Sequence, residues 1–390
     1  MSGHPLSAAA LCDGFDVPDF VVNFDAIPGG GVVFGPGTLA SIGHRARELG
    51  ATRALLVTDP GIARSGHSER CVGYLQEAGV QTFVFDGVHE NPTTVDVGRT
   101  VAFAADKDVD LIVGIGGGSS MDTAKGCNFL LTNGGEMRDY WGVGKATKPM
   151  LPLIAVPTTS GTGSECQSFA LIADDHSHAK MACGDKKAAA AVAILDPELT
   201  LTQPRAVTAH TGIDAIAHAL ETAVCRKCSD VSLAYSRAAW QLLEGAMERV
   251  LTHPEDIEAR ARMQLGAAFA GTAIENSMLG IAHSCANPLT AHFDIVHGQA
   301  VGTMLPWVIG FNRADASAAE TYDSLWSSGL EKRVRELLQA AEMDLSVGDL
   351  GANDESLVTL AEEAAGQWTA QFNPVPVEAS DLAGLYQSAW

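Results

Sequence analysis

Strand-like text crowds the first half of this chain and nearly vanishes after Pro204. The runs ATRALLVTDP, VQTFVFDG, DVDLIVGIGGG, MLPLIAVP, SFALIAD and AAVAILDP are short and apolar and close on Gly, Asp or Pro. Helical patterns separate the earlier ones, at about 65–77 and 95–105 and again after the glycine run at 116–118. Strand and helix in alternation select a parallel sheet covered by helices on both faces. Two further strands are expected, one around Phe20 to Phe24 and one in GGGVVF, the latter leading into a helix that ends near Gly50. The segment around Lys180 separates two strands and is assigned no element of its own. From 204 onward the text reads as helices at 211–225, 229–251, 255–276, 297–312, 330–342 and 355–371. The expectation is an α/β domain over residues 1–203 and an all-helical domain over 204–390.

A chain of 390 residues suits two domains. With 46% hydrophobic and 18% charged residues it fits a compact globule with a large core. A formal net charge of −22 repels nucleic acid and anionic membrane surfaces, so neither is expected as a partner. It does not forbid a dinucleotide, which backbone amides and a helix terminus grip locally. The opening MSGHPLSAAALCDGF lacks basic residues and a long apolar run, so no secretory signal is expected, and no stretch has the length of a membrane span. Eight scattered cysteines point to reduced thiols in a cytoplasmic protein. Cys225 and Cys228 form a CxxC, but no second one follows at zinc-ribbon spacing, so they are read as free thiols.

Candidate chemistry begins at GIDAIAHALE, residues 212–221. This Ala-, Ile- and Leu-rich segment reads as a buried helix, and Asp214 and His218, four apart, share one of its faces. Two readings are open for the pair: an imidazole held by a neighbouring aspartate, or two ligands of a divalent cation. The segment GIAHSCANPLTAHFDIVHG bears on the choice. His283 and His297 stand fourteen positions apart and on one unbroken helix would be ~21 Å distant. Pro288 disfavours helical geometry at Asn287, and Thr290, Asp294 and Gly298 suit a bend. The expectation is therefore a chain that turns back near Pro288, with His283 late in one helix and His297 at the start of the next. Asp214, His218, His283 and His297 then form an N/O set suited to Fe²⁺ or Zn²⁺.

D-x-x-x-H, a later His, and a His-Gly fourteen residues on resemble the iron-containing (group III) alcohol dehydrogenases. VHGQAVGTMLPWVIGFN and NPVPVEASDLAGLYQSAW agree, so the resemblance spans roughly residue 28 to the C-terminus. It implies a Rossmann-like dinucleotide-binding domain followed by a helical metal-binding domain, an architecture like that of dehydroquinate synthase. It also implies NAD and Fe²⁺ as cofactors, with Zn²⁺ not excluded by the ligand set. A homodimer or higher homo-oligomer is expected.

The glycine run GIGGGSSMD follows an apolar strand and precedes a helix. Taken alone it reads as an ordinary glycine-rich turn or as a phosphate cradle, since Gly116, Gly117 and Gly118 allow close approach to backbone amides. Ser119 with Asp122 three residues on has the form of a capping box. The resemblance favours the cradle, because GGGSxxDxxK is where family members hold the pyrophosphate. Asp59 ends the strand LLVTD. It either starts a turn before Pro60 or accepts bonds from the adenosine ribose and repels a 2′-phosphate. Asn91 in NPT, and Thr158, Thr159 and Thr162, match family positions that hold the ribose and nicotinamide. Lys180 matches a family lysine loosely, because the preceding DDHSH has diverged.

The implied chemistry is hydride transfer between a small alcohol or aldehyde and nicotinamide, with the cation polarising the substrate oxygen at a cleft where the two sites meet. One departure stands out. Where many members carry HxxxHPLG, this chain has His283 and then Asn287 in NPLT. That second histidine is usually given a proton-relay role, and asparagine does not titrate. Relay then falls to water, ribose hydroxyls or His292. Transhydrogenases between hydroxy acids and oxo acids are an alternative reading, as is a non-catalytic scaffold that retains NAD and metal. Maleylacetate reductases tend to lack the metal, and the intact four-residue set argues against them.

Overall fold

The computed structural model describes residues 6–29, 31–176, 179–353 and 355–390. Gly30 of the first glycine turn and residues 177 and 178 of the DDHSH loop lie outside them. Contacts divide the chain into two compact units. One comprises residues 1–10, 23–159 and 163–203; the other comprises 11–22, 160–162 and 204–390.

The first unit is built on six parallel strands in the order β1-β9-β6-β4-β2-β3. These are β1 (Gly31–Phe34), β2 (Arg53–Val57), β3 (Gln81–Phe85), β4 (Leu111–Gly116), β6 (Leu153–Pro157) and β9 (Val192–Leu195). Successive side chains point to opposite faces of a strand, and the core divides accordingly. Leu56, Val113, Ile154 and Val156 pack with Ile42, Ala46, Cys71 and Leu75. These last four come from α3 (Ile42–Glu48) and α5 (His67–Glu77). Leu55, Val57, Ile112 and Ala155 pack on the other face with Ala104, Met121, Ala124 and Cys127, from α6 (Thr94–Ala104) and α7 (Gly118–Asn133). The doubly covered parallel sheet is the one the alternation predicts.

Local differences have local causes. The strand expected around Phe20 to Phe24 is absent. The helix α2 (Asp19–Val22) follows the short α1 (Ala8–Leu11) there, with an acidic residue in its first turn and Val21 buried. Phe20 instead presents its carbonyl to the Tyr235 hydroxyl at 3.0 Å. The helix read at 65–77 is α5, and a further short helix, α4 (Pro60–Arg64), precedes it, with Gly66 at φ 81° between the two. Around Lys180, where no element was expected, lies β8 (Lys180–Gly184). It sits between β5 (Gly142–Val143) and β7 (Phe169–Ala173) in a second, three-stranded sheet.

The second unit contains helices and no strand among the described residues. These are α8 (Arg205–Val224), α9 (Asp230–Thr252), α10 (Ile257–Glu275), α11 (Ile281–Phe293), α12 (His297–Asn312), α13 (Ala316–Leu325), α14 (Leu330–Ala340), α15 (Ser356–Ala365) and α16 (Ala379–Ser388). Short α13 and α16 were not anticipated. The central element is α8, whose residues 212–223 are all buried. It packs against α9, α10 and α12. The expected break at Pro288 does not occur. A proline removes only one backbone donor, and α11 continues through it with Pro288 and Leu289 buried. His283 is thus early in α11. The reversal comes at Asp294, which adopts φ 53°, a left-handed conformation that aspartate tolerates.

Candidate metal centre and dinucleotide loop

Three imidazoles of the helical unit converge on one carboxylate oxygen. Asp214 Oδ1 lies 3.3 Å from His283 Nε2, 3.5 Å from His218 Nε2 and 3.8 Å from His297 Nε2. Asp214 and His218 come from one face of α8, His283 from the first turn of α11, and His297 is the first residue of α12. The His218 ring stacks on His283 at 4.8 Å between centroids, and His297 tilts against His283 at 5.4 Å. Asp214, His218 and His283 are all buried; the His297 side chain is 26% exposed and forms the open side.

Three buried atoms of these residues make no hydrogen bond: His218 Nδ1, and Asp214 Oδ1 and His283 Nε2, which face each other. An unpaired buried polar atom carries a desolvation cost of roughly 1–3 kcal/mol. Donors around a tetrahedral cation with bonds of about 2.0–2.1 Å sit roughly 3.3–3.5 Å apart. The spacing and the two facing unpaired atoms fit a divalent cation held by Asp214, His283 and His297, whose ligand atoms all lie within 4.8 Å of one another; His218 Nε2 approaches Asp214 but is not part of that mutually close group. The electrostatics of Asp214 and His218 agree. Burial would raise the Asp214 carboxyl, yet the surrounding imidazoles hold it well below the usual carboxylate range. Burial pushes the His218 imidazole down against the pull of Asp214, which leaves a neutral nitrogen available as a donor. Burial also disfavours charge on His283, but the Glu221 and Asp214 carboxylates outweigh it and raise the group to about 9.

Glu221 escaped the sequence reading. Its carboxylate accepts from His283 Nδ1 at 2.5 Å and from the Ala282 N–H at 2.6 Å. The signal was present: Asp214, His218 and Glu221 follow i, i+4, i+7 along one helix face. The glycine after His297 has a packing reason. A Cβ on Gly298 would overlap the carbonyl of His210 one turn before Asp214, so only glycine lets α12 begin against α8.

Asn287, one turn beyond His283, is half-buried and donates Nδ2 to Gln367 Oε1 at 3.1 Å. His292 lies near the far end of α11, where its Nε2 sits 2.9 Å from Glu363 Oε2 with the side chain 43% exposed.

In the α/β unit the glycine run joins β4 to α7. Gly116 has φ 146°, and a Cβ there would meet Ser120 Oγ at 2.5 Å and Asp59 Oδ2 at 3.1 Å. Gly117 is the N-cap of α7 and Gly118 its first residue, with no side chain capping the terminus. The expected Ser119–Asp122 capping box does not form. The helix starts two residues too early for it, and Asp122 instead accepts from Ser164 Oγ at 2.8 Å. Lys125, also unassigned by the sequence reading, is buried beneath. It donates to the Ser164 carbonyl, Ser164 Oγ and the Phe169 carbonyl at 2.6, 2.8 and 2.9 Å. Lys180, the first residue of β8, contributes positive charge toward Asp122.

Asp59 starts the turn before Pro60, as one of its two readings has it. Oδ1 caps α4 by accepting from Gly61 and Ile62 at 2.8 and 3.1 Å, while Oδ2 faces Ser120 Oγ at 3.4 Å beside the glycine loop. Thr158 donates its N–H to the Gly116 carbonyl and its buried hydroxyl has no hydrogen-bond partner. The Thr159 side chain stands against Gly117. Asn91 is exposed with φ 51°, and Thr162 belongs to the short segment 160–162 grouped with the helical unit.

A doubly covered parallel sheet with a glycine loop entering a helix, joined to a helical unit with an Asp-His₃ cluster, defines a class of dinucleotide- and cation-dependent oxidoreductases. Residues 30–197 match the family model for iron-containing alcohol dehydrogenase, and residues 208–390 match that for the Fe-containing alcohol dehydrogenase family, C-terminal. The chain belongs to the iron-containing alcohol dehydrogenase family. It is 32% identical to the NAD-dependent methanol dehydrogenase of Bacillus methanolicus over 370 residues, 92% of this chain and 97% of that one. It is 33% identical to alcohol dehydrogenase 4 of Schizosaccharomyces pombe over 366 residues, 92% and 87% of the two. Its fold is similar to the crystal structure of a 1,3-propanediol oxidoreductase, with a TM-score of 0.89 at 30% identity, covering 93% of this chain and 98% of that one.

Proposed function

We propose that this chain is an NAD(H)-dependent alcohol dehydrogenase and aldehyde reductase acting on small alcohols and their carbonyl partners. Asp214, His218, His283 and His297 hold Fe²⁺, with Zn²⁺ as the alternative the donor set admits. The observation that carries this reading is the convergence of three imidazoles on Asp214 Oδ1, with that oxygen and His283 Nε2 left without hydrogen bonds. When bound, the cation would supply Lewis acidity at the substrate oxygen and the dinucleotide would supply hydride-transfer chemistry.

The remaining work belongs to the chain. Backbone N–H groups of Gly117, Gly118 and Ser119 at the start of α7 receive the pyrophosphate, with Asp122 and Lys180 supporting the loop. Asp59 receives the adenosine ribose, and Asn91, Thr158, Thr159 and Thr162 hold the ribose and nicotinamide. Asn287 orders a water or the substrate hydroxyl, since its amide donates and accepts but does not titrate. His292 is the nearest titratable alternative in sequence for the proton, and its pairing with Glu363 competes with that role. Residues 1–203 are taken as a dinucleotide-binding domain and 204–390 as a metal-binding domain. All eight cysteines are free thiols, which supports a cytoplasmic location. Among the described residues no helix is long and apolar enough to cross a membrane. A homodimer or higher homo-oligomer is the assembly we propose.

Elemental analysis of His283→Ala and His297→Ala tests the ligand assignment. Each variant is expected to lose its metal while retaining NAD binding, and Asn287→Ala is expected to keep the metal. Unchanged metal in either histidine variant contradicts the reading.

A further inference from the structure

Glu221 is one of the most enclosed carboxylates of the helical unit, at 3% exposure, and no arginine or lysine pairs with it among the ion pairs of the described residues. A buried carboxylate without a cationic side chain is costly unless its oxygens receive hydrogen bonds. Both do. Oε1 takes the Ala282 N–H at 2.6 Å and Oε2 takes His283 Nδ1 at 2.5 Å. Ala282 is the second residue of α11, and Gly280, the N-cap, offers no side chain to the free amides. Glu221 therefore does from α8 what a capping residue does locally, placed where the helix dipole favours negative charge. The space is closely filled: a Cβ on Gly280 would come within 3.0 Å of Glu221 Oε1.

We propose that Glu221 is the positioning residue for His283, fixing the start of α11 with one carboxylate oxygen and the orientation and tautomer of the His283 ring with the other, so that Nε2 faces Asp214 as the available donor. A histidine with Nδ1–H committed to a carboxylate has its lone pair at Nε2 and a fixed ring plane. Because α8 carries Asp214 and His218 as well as Glu221, one helix sets three of the four groups, two directly and His283 through the carboxylate. This inference rests on the ligand assignment above.

The test measures the Zn²⁺ dissociation constant by chelator competition, together with thermal midpoints of the metal-free proteins. Losing a partner behind a metal-binding histidine typically weakens affinity by about 10–100-fold. Glu221→Ala is expected to fall in that range. Glu221→Gln, which keeps one acceptor, is expected to recover part of the loss and keeps the test open if the alanine variant does not fold. Ser284→Ala serves as control. It removes the buried Ser284–Thr369 hydroxyl contact of 2.7 Å on the same helix, so it is expected to lower the midpoint and leave Zn²⁺ affinity unchanged. In ¹⁵N spectra of the Zn²⁺-loaded wild type, the His283 Nδ1–H signal is expected to be present, and Glu221→Ala is expected to lose it. Wild-type Zn²⁺ affinity in Glu221→Ala, or an equal loss in Ser284→Ala, overturns the positioning role. Wild-type affinity in His283→Ala overturns the ligand assignment itself, which separates the two failures.

Discussion

Asp59 caps α4, and we propose that it also sets the preference for NAD over NADP. One oxygen caps α4 and the other faces the glycine loop. Asp59→Gly removes the charge and leaves a residue acceptable at an N-cap, at a cost of only a few tenths of a kcal/mol. The ratio of kcat/KM with NADP to that with NAD is expected to rise about fivefold, matching about 1 kcal/mol of like-charge repulsion at ~4 Å in water. An unmoved ratio removes Asp59 as the selector. Glu165 offers a pH test in the α/β unit. Burial pushes its carboxyl up from 4.5 to about 7, against the lowering by its own backbone N–H and by Lys125. The folded state thus binds this proton more tightly than the unfolded chain. The associated stability is fully present below about 4.5 and is lost as pH rises through about 7. Glu165→Gln is therefore expected to gain on the wild type between pH 5 and pH 8, by at most about 3 kcal/mol, in denaturant titrations. A difference that does not change with pH contradicts this.

At the scale of elements, the sheet was legible because its strands are apolar runs closed by turn residues, as LLVTD and LIVGIGGG are. β8 was not, since KMACG is short, begins on lysine and takes its character from pairing with β7 and β5. Asp214 and His218 declared themselves by helical spacing. Glu221 completed the same stripe but gained meaning only once α11 lay beside α8. The turn between His283 and His297 was correctly required, yet Pro288 was the wrong place for it: the backbone reverses at Asp294, where φ turns positive. Gly298 is where two elements meet most closely. In Gly298→Ala the new methyl meets the His210 carbonyl and must push the start of α12, with His297, away from α8. A cost of about 1–3 kcal/mol is expected, with loss of metal affinity alongside it. A calorimetric midpoint and metal content equal to wild type would show that the contact relaxes without moving His297.

For the whole molecule, the division into a strand-rich first part and a helical remainder could be read from where strand text stops. Two exchanges could not: residues 11–22 and 160–162 group with the helical unit, and such short segments carry no composition of their own. We propose that a glycine loop for NAD in one unit and an Asp-His₃ cluster for a cation in the other serve one reaction. This is tested most directly by NADH formation from a panel of small primary alcohols, using protein stripped of metal and then titrated anaerobically with Fe²⁺. No turnover is expected without metal, and activity is expected to saturate at one Fe²⁺ per chain. His283→Ala is expected to show no recovery while still binding NAD. Full turnover by the stripped protein, or full recovery of His283→Ala at one equivalent, would contradict the proposal.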